Sequence, residues 1–127
     1  SGGVEIRNKY SKICLGKKDV TLIKNELNVS NEIIIFEGFF DYLTYKNLEK
    51  KGNSNSDYLI LNSTAMLFKV EETLKKYDKI SLFLDNDKNG NATKKAILKK
   101  YENVEDCSLI YRGFKDLNEW FCSKEDL

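Results

Sequence analysis

Apolar runs and amphipathic segments alternate along most of the chain. The apolar runs are short and rich in Ile, Leu and Phe, and they predict strands that are buried on both faces of a sheet. The segments that follow them carry apolar residues at helical spacing. The predicted strands lie at 33–36, 58–61, 80–84 and 104–110, and the predicted helices lie at 39–51, 66–77, 91–101 and 116–122. This order predicts an α/β fold with a mostly parallel four-stranded sheet flanked by helices.

Residues 1–30 follow a different pattern. Residues 4–7 alternate apolar with polar side chains, as in a half-buried strand, and residues 20–23 are typical of a second short strand. Turn-forming residues separate the two segments. We therefore expect a β-rich lead-in segment at 1–30, followed by the main α/β domain at 31–127.

The composition narrows the possible chemistry. The chain has 127 residues, a length that fits one domain. Its net charge is only +1, so the whole molecule exerts no strong electrostatic attraction on nucleic acid. It contains no histidine, so Ser-His nucleophile pairs and histidine metal sites are excluded within it. Its three cysteines are far apart and no apolar run is long enough for a membrane helix, so we expect a reducing, cytoplasmic setting and no membrane partner. The first residue is serine rather than methionine, and we expect the chain to be part of a longer protein.

Acidic residues end two of the predicted strands. Glu37 follows the strand at 33–36, and Asp85 and Asp87 follow the strand at 80–84. In a parallel sheet these strand ends lie at one edge, and residues i and i+2 of an extended segment point the same way. At about 6 Å and an effective dielectric of about 20, each pair of like charges costs about 3 kcal/mol, which a divalent cation would offset. The pattern thus favours a Mg²⁺ (or Mn²⁺) site, although strand-end acids also serve as turn formers and helix caps.

The acidic stretches together resemble the toprim domain, the catalytic module shared by topoisomerases and bacterial primases. Residues 37–41, Glu-Gly-Phe-Phe-Asp, are similar to its glutamate-glycine motif after the first strand. Residues 85–90, Asp-Asn-Asp-Lys-Asn-Gly, are similar to its Asp-x-Asp motif after the third strand. Residues 61–65 resemble the small-residue loop of primases, and residues 115–119 resemble their terminal Lys-Asp-Pro-Asp-Glu. The resemblance covers about residues 31–122 and implies a Rossmann-like toprim fold.

The resemblance implies a specific chemistry. In such a domain Glu37, Asp85 and Asp87 would hold one or two Mg²⁺ or Mn²⁺ ions, and Asp116 would add a ligand or orient Lys115. The ions would bind the triphosphate of an incoming nucleotide and activate a primer 3′-hydroxyl, while Glu37 would also act catalytically by moving protons. The implied activity is RNA primer synthesis on a single-stranded DNA template by a DNA primase-type nucleotidyltransferase that uses NTPs.

Residues 2–8 resemble the segment before the toprim domain in primase-like proteins of mobile elements in gut bacteria, the Bacteroides type. This resemblance implies an upstream zinc-binding module in the full-length chain and a helicase as a further partner. Four positions depart from the primase pattern. Asn86 and Asn89 replace small residues, and Leu117 and Asn118 replace Pro and Asp. Because Asn118 lacks the negative charge of that aspartate, a third metal position is not expected.

Basic residues supply candidate contacts for nucleotide and nucleic-acid phosphates. Arg7, Lys88 and Lys115 are the first candidates, followed by Lys9 and Lys12. Arg7 stands out because arginine is rare in this chain and its forked guanidinium suits phosphate. Most of the many lysines are expected to be solvated surface residues.

Other folds with paired acids fit the pattern less well. A haloacid dehalogenase-type phosphatase carries its Asp-x-Asp after the first strand, whereas here the pair follows the third predicted strand. A receiver domain has paired acids after its first strand, and Glu37-Gly38 lacks the second acid. A topoisomerase would need a tyrosine domain for which 127 residues leave no room. Two alternatives within the toprim class stay open: a toprim-type nuclease and a non-catalytic module that binds nucleic acid.

Overall fold

The computed structural model of the protein describes residues 10–15, 20–25, 29–49 and 56–125. None of the helices in these ranges is both long enough and apolar enough to cross a membrane. The strands are β1 (Tyr10–Leu15), β2 (Val20–Asn25), β3 (Glu32–Phe36), β4 (Asp57–Ile60), β5 (Lys79–Phe83) and β6 (Val104–Asp106). The helices are α1 (Phe39–Glu49), α2 (Glu71–Leu74), α3 (Lys88–Lys100) and α4 (Leu117–Glu125), with 3-10 helices at Thr64–Val70 and Ser108–Tyr111.

The described strands form one sheet in the order β1-β2-β4-β3-β5-β6. Strands β4, β3, β5 and β6 are parallel, whereas β2 runs antiparallel to both of its neighbours. Phe36 at the end of β3 pairs with Ile60 of β4 and with Phe83 of β5, so the carboxyl ends of three strands lie side by side. The predicted α/β fold with four mostly parallel strands is confirmed, and two further strands extend the sheet.

The lead-in supplies those two strands. The strand predicted at 20–23 is confirmed as β2, whereas β1 is an addition that the pattern does not predict. The strand predicted at 4–7 lies outside the described residues. Pairing of β2 with β4 covers a sheet edge whose backbone groups would otherwise be exposed.

Both faces of the central strands β3, β4 and β5 are buried, which explains their continuous apolar runs. Along β3, Ile33 and Ile35 belong to one core, and Ile34 and Phe36 belong to the other. Helices α2 and α3 cover the first core, and α1 and α4 cover the second. A strand between two helical layers has no polar face, so its sequence does not alternate.

The predicted strand at 104–110 and the predicted helix at 66–77 differ most from the structure. The strand predicted at 104–110 ends at Asp106, because the Asp106 carboxylate accepts a hydrogen bond from the Ser108 N–H at 3.0 Å and turns the chain into a 3-10 helix. The helix predicted at 66–77 is a 3-10 helix followed by the short α2. A short apolar repeat every three to four residues fits a 3-10 turn as well as an α-helix.

Candidate metal centre

Three carboxylates meet at the carboxyl ends of β3 and β5. Glu37 follows β3 directly, and Asp85 and Asp87 come shortly after β5. The Oε1 atom of Glu37 accepts a hydrogen bond from the Asp85 N–H at 3.0 Å, which ties the two strand ends together. One carboxylate oxygen from each of the three residues lies within 4.8 Å of the other two. The structure thus brings together the three side chains that the sequence predicts as metal ligands.

Asp85 also belongs to a second cluster. One oxygen each from Asp41, Asp85 and Asp116 lies within 4.8 Å of the others. Asp41 is only 4% exposed in the first turn of α1, and its Oδ1 accepts a hydrogen bond from the Asn118 N–H at 3.0 Å. Asp116 is a ligand predicted from the sequence, whereas Asp41 is not among the predicted ligands. The available signal is that Asp41 is the aspartate that ends the Glu-Gly-Phe-Phe-Asp motif at residues 37–41.

The turn after β5 is tightly built. Asp87 caps α3, because its Oδ1 accepts a hydrogen bond from the Gly90 N–H at 2.8 Å. The helix therefore begins at Lys88 rather than at the predicted residue 91. A Cβ atom at Gly90 would lie 2.0 Å from the Asp85 carbonyl oxygen, so this position requires glycine. A carboxylate has two oxygens, and the capping bond is compatible with metal ligation by Asp87.

Burial and mutual repulsion raise the pKa values of three carboxylates in these clusters. Burial is the largest cause for Asp85, whose pKa is raised to about 7, and the negative charges of Glu37 and Asp41 add to the rise. Burial also raises the pKa of Asp41 to about 6, against the effect of the Asn118 N–H hydrogen bond. Burial raises the pKa of Glu37, and the hydrogen bond from the Asp85 N–H opposes this rise. The protein alone therefore disfavours full ionisation of the site.

The site fits a divalent cation. Within the part of the chain that the structure describes, the buried Oδ1 of Asp85 has no hydrogen-bond partner. A buried carboxylate oxygen without a partner is costly, and a bound cation removes that cost. The donors are all carboxylate oxygens, which are the ligands that Mg²⁺ and Mn²⁺ prefer.

Two of the predicted phosphate contacts lie beside the site. Lys88 is exposed at the start of α3, directly after Asp87, and Lys115 is exposed directly before Asp116. The positive charge of Lys115 opposes the rise that burial causes in the pKa of Glu37, so this lysine lies within electrostatic reach of the carboxylates. Their role as phosphate contacts stays a prediction.

The structure does not describe the side chains of the other three predicted phosphate contacts. Arg7 and Lys9 lie outside the described residues, and Lys12 lies in β1, for which the backbone alone is described.

Asn118 occupies the position of the aspartate in the primase motif. Its Oδ1 accepts a hydrogen bond from the Thr44 hydroxyl at 2.9 Å, so this side chain joins α4 to α1.

An open cleft of about 320 Å³ contains the acids of the second cluster and Glu37. Phe39 and Phe40 also line it and are 46% and 71% exposed. Exposed aromatic rings beside a phosphate site can stack nucleobases. Neither residue is among the predicted site residues, because both fit the apolar face of the helix predicted at 39–51.

The residues from 34 to 121 match the family model described as Toprim-like. The chain belongs to the Toprim-like family. The matched region includes every carboxylate of both clusters, so the toprim resemblance drawn from the motifs is confirmed. Arg7, Lys9 and Lys12 precede the matched region of this Toprim-like domain.

Solved structures share the fold of this Toprim-like domain. The primase fragment of the bacteriophage T7 primase-helicase protein is 16% identical with a TM-score of 0.60, and the match covers 87% of this chain and 55% of that chain. A second structure, of the bacteriophage T7 lagging-strand DNA polymerase interacting with primase domains bound to an RNA/DNA hybrid and dTTP, is also 16% identical with a TM-score of 0.60, covering 84% of this chain and 65% of that chain. The Toprim-like chain thus spans less than two thirds of either. A comparison with curated proteins gives no match.

Proposed function

We propose that this Toprim-like domain is the nucleotidyl-transfer part of a DNA primase that synthesises RNA primers on a single-stranded DNA template. The observation that supports this most directly is the meeting of Glu37, Asp85 and Asp87, with one buried Asp85 oxygen left without a partner in the described chain. The fold adds support, because both T7 structures contain primase domains.

The carboxylates have distinct proposed roles. Glu37, Asp85 and Asp87 hold Mg²⁺ or Mn²⁺, and Asp116 adds a ligand together with Asp41. When bound, the cation neutralises charge on the nucleotide phosphates. Glu37 is the proposed catalytic residue that accepts the proton of the primer 3′-hydroxyl, since burial raises its pKa toward the range of a useful base.

The proposed substrates are NTPs and a single-stranded DNA template. Lys88 and Lys115 are the proposed phosphate contacts beside the cluster, and Arg7, Lys9 and Lys12 are proposed contacts in the lead-in. A helicase is a proposed partner because one T7 neighbour is a primase-helicase protein. The upstream zinc-binding module and the mobile-element origin are proposals that rest on the motif resemblance alone, and the cytoplasmic setting is a proposal that rests on the three widely spaced cysteines.

Primer synthesis by the full-length protein tests this proposal. The assay supplies single-stranded DNA, NTPs and Mg²⁺ or Mn²⁺, and we expect short RNA products that disappear with EDTA. Glu37→Gln should lower synthesis at least 100-fold. Glu72→Gln is the matched control, because the Glu72 side chain is 88% exposed on α2, and it should leave synthesis unchanged.

Two results would contradict the proposal. One is a wild-type protein that makes no RNA even with its helicase present, and the other is a Glu37→Gln variant that is as active as the wild type. Shortening of an end-labelled template in the same reaction would indicate a toprim-type nuclease instead.

A further inference from the structure

A buried lysine lies behind the turn that carries the aspartates. Lys94 of α3 is only 5% exposed, although lysine is rarely buried. Its ammonium group donates three hydrogen bonds, to Asn86 Oδ1 at 2.8 Å, Asn91 Oδ1 at 3.0 Å and Ser108 Oγ at 3.0 Å. All three acceptors are uncharged, and the ion pairs found among the described residues do not include Lys94. A buried cation without a carboxylate partner is costly, which indicates a specific role.

Asn86 links this lysine to the ligands, because it lies between Asp85 and Asp87. An ammonium group only donates hydrogen bonds, so the Oδ1 of Asn86 must face Lys94 and the Nδ2 must face away. The Nδ2 atom lies at 3.1 to 3.4 Å from three backbone carbonyl oxygens, those of Ser108, Tyr111 and Phe114. Lys94 thereby selects one orientation of the amide, and that orientation holds the turn.

The same contacts hold the segment that leads to Asp116. At one end of this segment, Ser108 accepts a hydrogen bond from Lys94. At the other end, the carbonyl oxygen of Lys115 accepts a hydrogen bond from the Asn86 N–H at 2.6 Å. The segment 108–115 is therefore hydrogen-bonded to Lys94 at its first residue and to the backbone of Asn86 at its last residue.

We infer that Lys94 is a positioning residue for the metal centre. By fixing the Asn86 amide it sets the turn that carries Asp85 and Asp87, and it holds the segment with Asp116 against that turn. The inference rests on the proposed function, because it takes these carboxylates as metal ligands. A purely structural lysine would affect stability alone, whereas a positioning lysine also affects the affinity for the cation.

Mn²⁺ titration of paired variants tests this difference. Lys94→Met keeps the length of the side chain but removes its charge and all three hydrogen bonds. We expect the Mn²⁺ affinity, measured by isothermal titration calorimetry, to fall at least ten-fold together with a lower Tm. Lys94→Arg still donates to neutral oxygens and should recover part of the affinity.

Two controls on the same helix separate positioning from stability. Ile97 is 1% exposed in the first core, and Ile97→Val should lower the Tm without changing the Mn²⁺ affinity. Lys95 is exposed, and Lys95→Met should change neither quantity. A Lys94→Met variant that loses Tm but binds Mn²⁺ within two-fold of the wild type overturns the inference.

Hydrogen exchange without metal gives a second readout. In Lys94→Met the backbone N–H of Asn86 should exchange at least ten-fold faster relative to the backbone N–H groups of β5, because the turn is no longer held. If the wild type binds no Mn²⁺, the proposed function fails, and unchanged Asn86 exchange then overturns the role of Lys94 as well.

If Lys94→Met does not fold, Ser108→Ala takes its place, because it removes only one of the three bonds. It should weaken Mn²⁺ binding two- to five-fold and speed exchange of the Asn86 amide. Unchanged affinity in this folded variant also overturns the inference.

Discussion

At the scale of single residues, Asp85 is the point on which both acidic clusters depend. Its carboxylate is common to the two sets of oxygens, and its N–H orients Glu37. Its buried Oδ1 has no hydrogen-bond partner in the described chain. Burial is the largest cause that raises the pKa of Asp85 to about 7, and the negative charges of Glu37 and Asp41 contribute further. A group held at such a cost is typical of a functional site, where stability is given up for binding.

Asp85→Asn should therefore stabilise the metal-free domain while abolishing metal binding. The substitution removes one negative charge from a repulsive cluster, and its amide can donate to neighbouring carboxylates. We expect a gain of about 1 kcal/mol in the free energy of unfolding in EDTA at pH 8, a modest figure because solvent screens part of the repulsion. Chemical unfolding measures the gain, and Mn²⁺ titration measures the loss of binding. A variant that is less stable than the wild type and still binds Mn²⁺ would refute both roles.

Some residues of this site can be predicted from the sequence and others cannot, and the difference has a physical reason. Glu37, Asp85 and Asp87 are predictable because parallel strand ends share one edge of the sheet. The motif at residues 37–41 contains Asp41 but does not show that its side chain is buried at the site, and nothing in the pattern marks Lys94, because a polar residue on an amphipathic helix has the same pattern whether it faces solvent or a buried acceptor. Only the packing of α1 and α3 against the sheet decides which polar residues are buried.

At the scale of elements, the turn from β5 into α3 carries the strongest constraint. The strand predicted to end at Leu84 ends at Phe83, whereas the predicted glycine turn is wrong, because Gly90 lies in α3. The pattern predicts the helix start three residues too late, because Lys88-Asn89-Gly90 has the composition of a loop. These residues form the first turn of α3 because the Asp87 side chain accepts a hydrogen bond from the Gly90 N–H and caps the helix. A capping bond of this kind outweighs a weak local helix propensity.

Gly90→Ala should break this turn. The added Cβ would lie 2.0 Å from the Asp85 carbonyl oxygen, so the helix start or the ligand strand must move. We expect a loss of about 3 kcal/mol in the free energy of unfolding, measured in urea, together with weaker Mn²⁺ binding.

Gly38→Ala is the matched control for this variant. Its Cβ would contact only the Asp41 Oδ2 at an ordinary 3.6 Å, so its stability should lie close to that of the wild type. Equal stability of the Gly90→Ala and Gly38→Ala variants would show that the close approach at Gly90 is not a constraint.

At the scale of the whole molecule, the sheet separates its structural and chemical tasks. Two buried cores lie on its faces, and the carboxylates lie beyond the carboxyl ends of its parallel strands. The net charge of +1 gives no sign of this separation, since it is an average over 20 acidic and 21 basic residues, whereas five of the acidic residues lie together beyond the strand ends. The stability of the metal-free molecule should therefore respond to pH mainly through one small region.

That response has a definite sign. Burial raises the pKa of Asp41 to about 6 and that of Asp85 to about 7, whereas both are about 4 in an unfolded chain. Between these values the folded state binds more protons than the unfolded state. The stability that these two groups contribute is therefore present at low pH and is lost as the pH rises from about 4 to about 7.

Urea unfolding in EDTA at pH 5 and pH 7.5 measures this loss. A variant carrying both Asp41→Asn and Asp85→Asn isolates it, and we expect the wild type to lose about 1–2 kcal/mol more than this variant between the two pH values. Mn²⁺ should reverse the trend for the wild type alone, because the cation binds the ionised carboxylates and its affinity rises with pH. Identical pH dependence of the two proteins in EDTA would mean that the carboxylates are not coupled, and an unreversed trend in Mn²⁺ would mean that they do not share a cation.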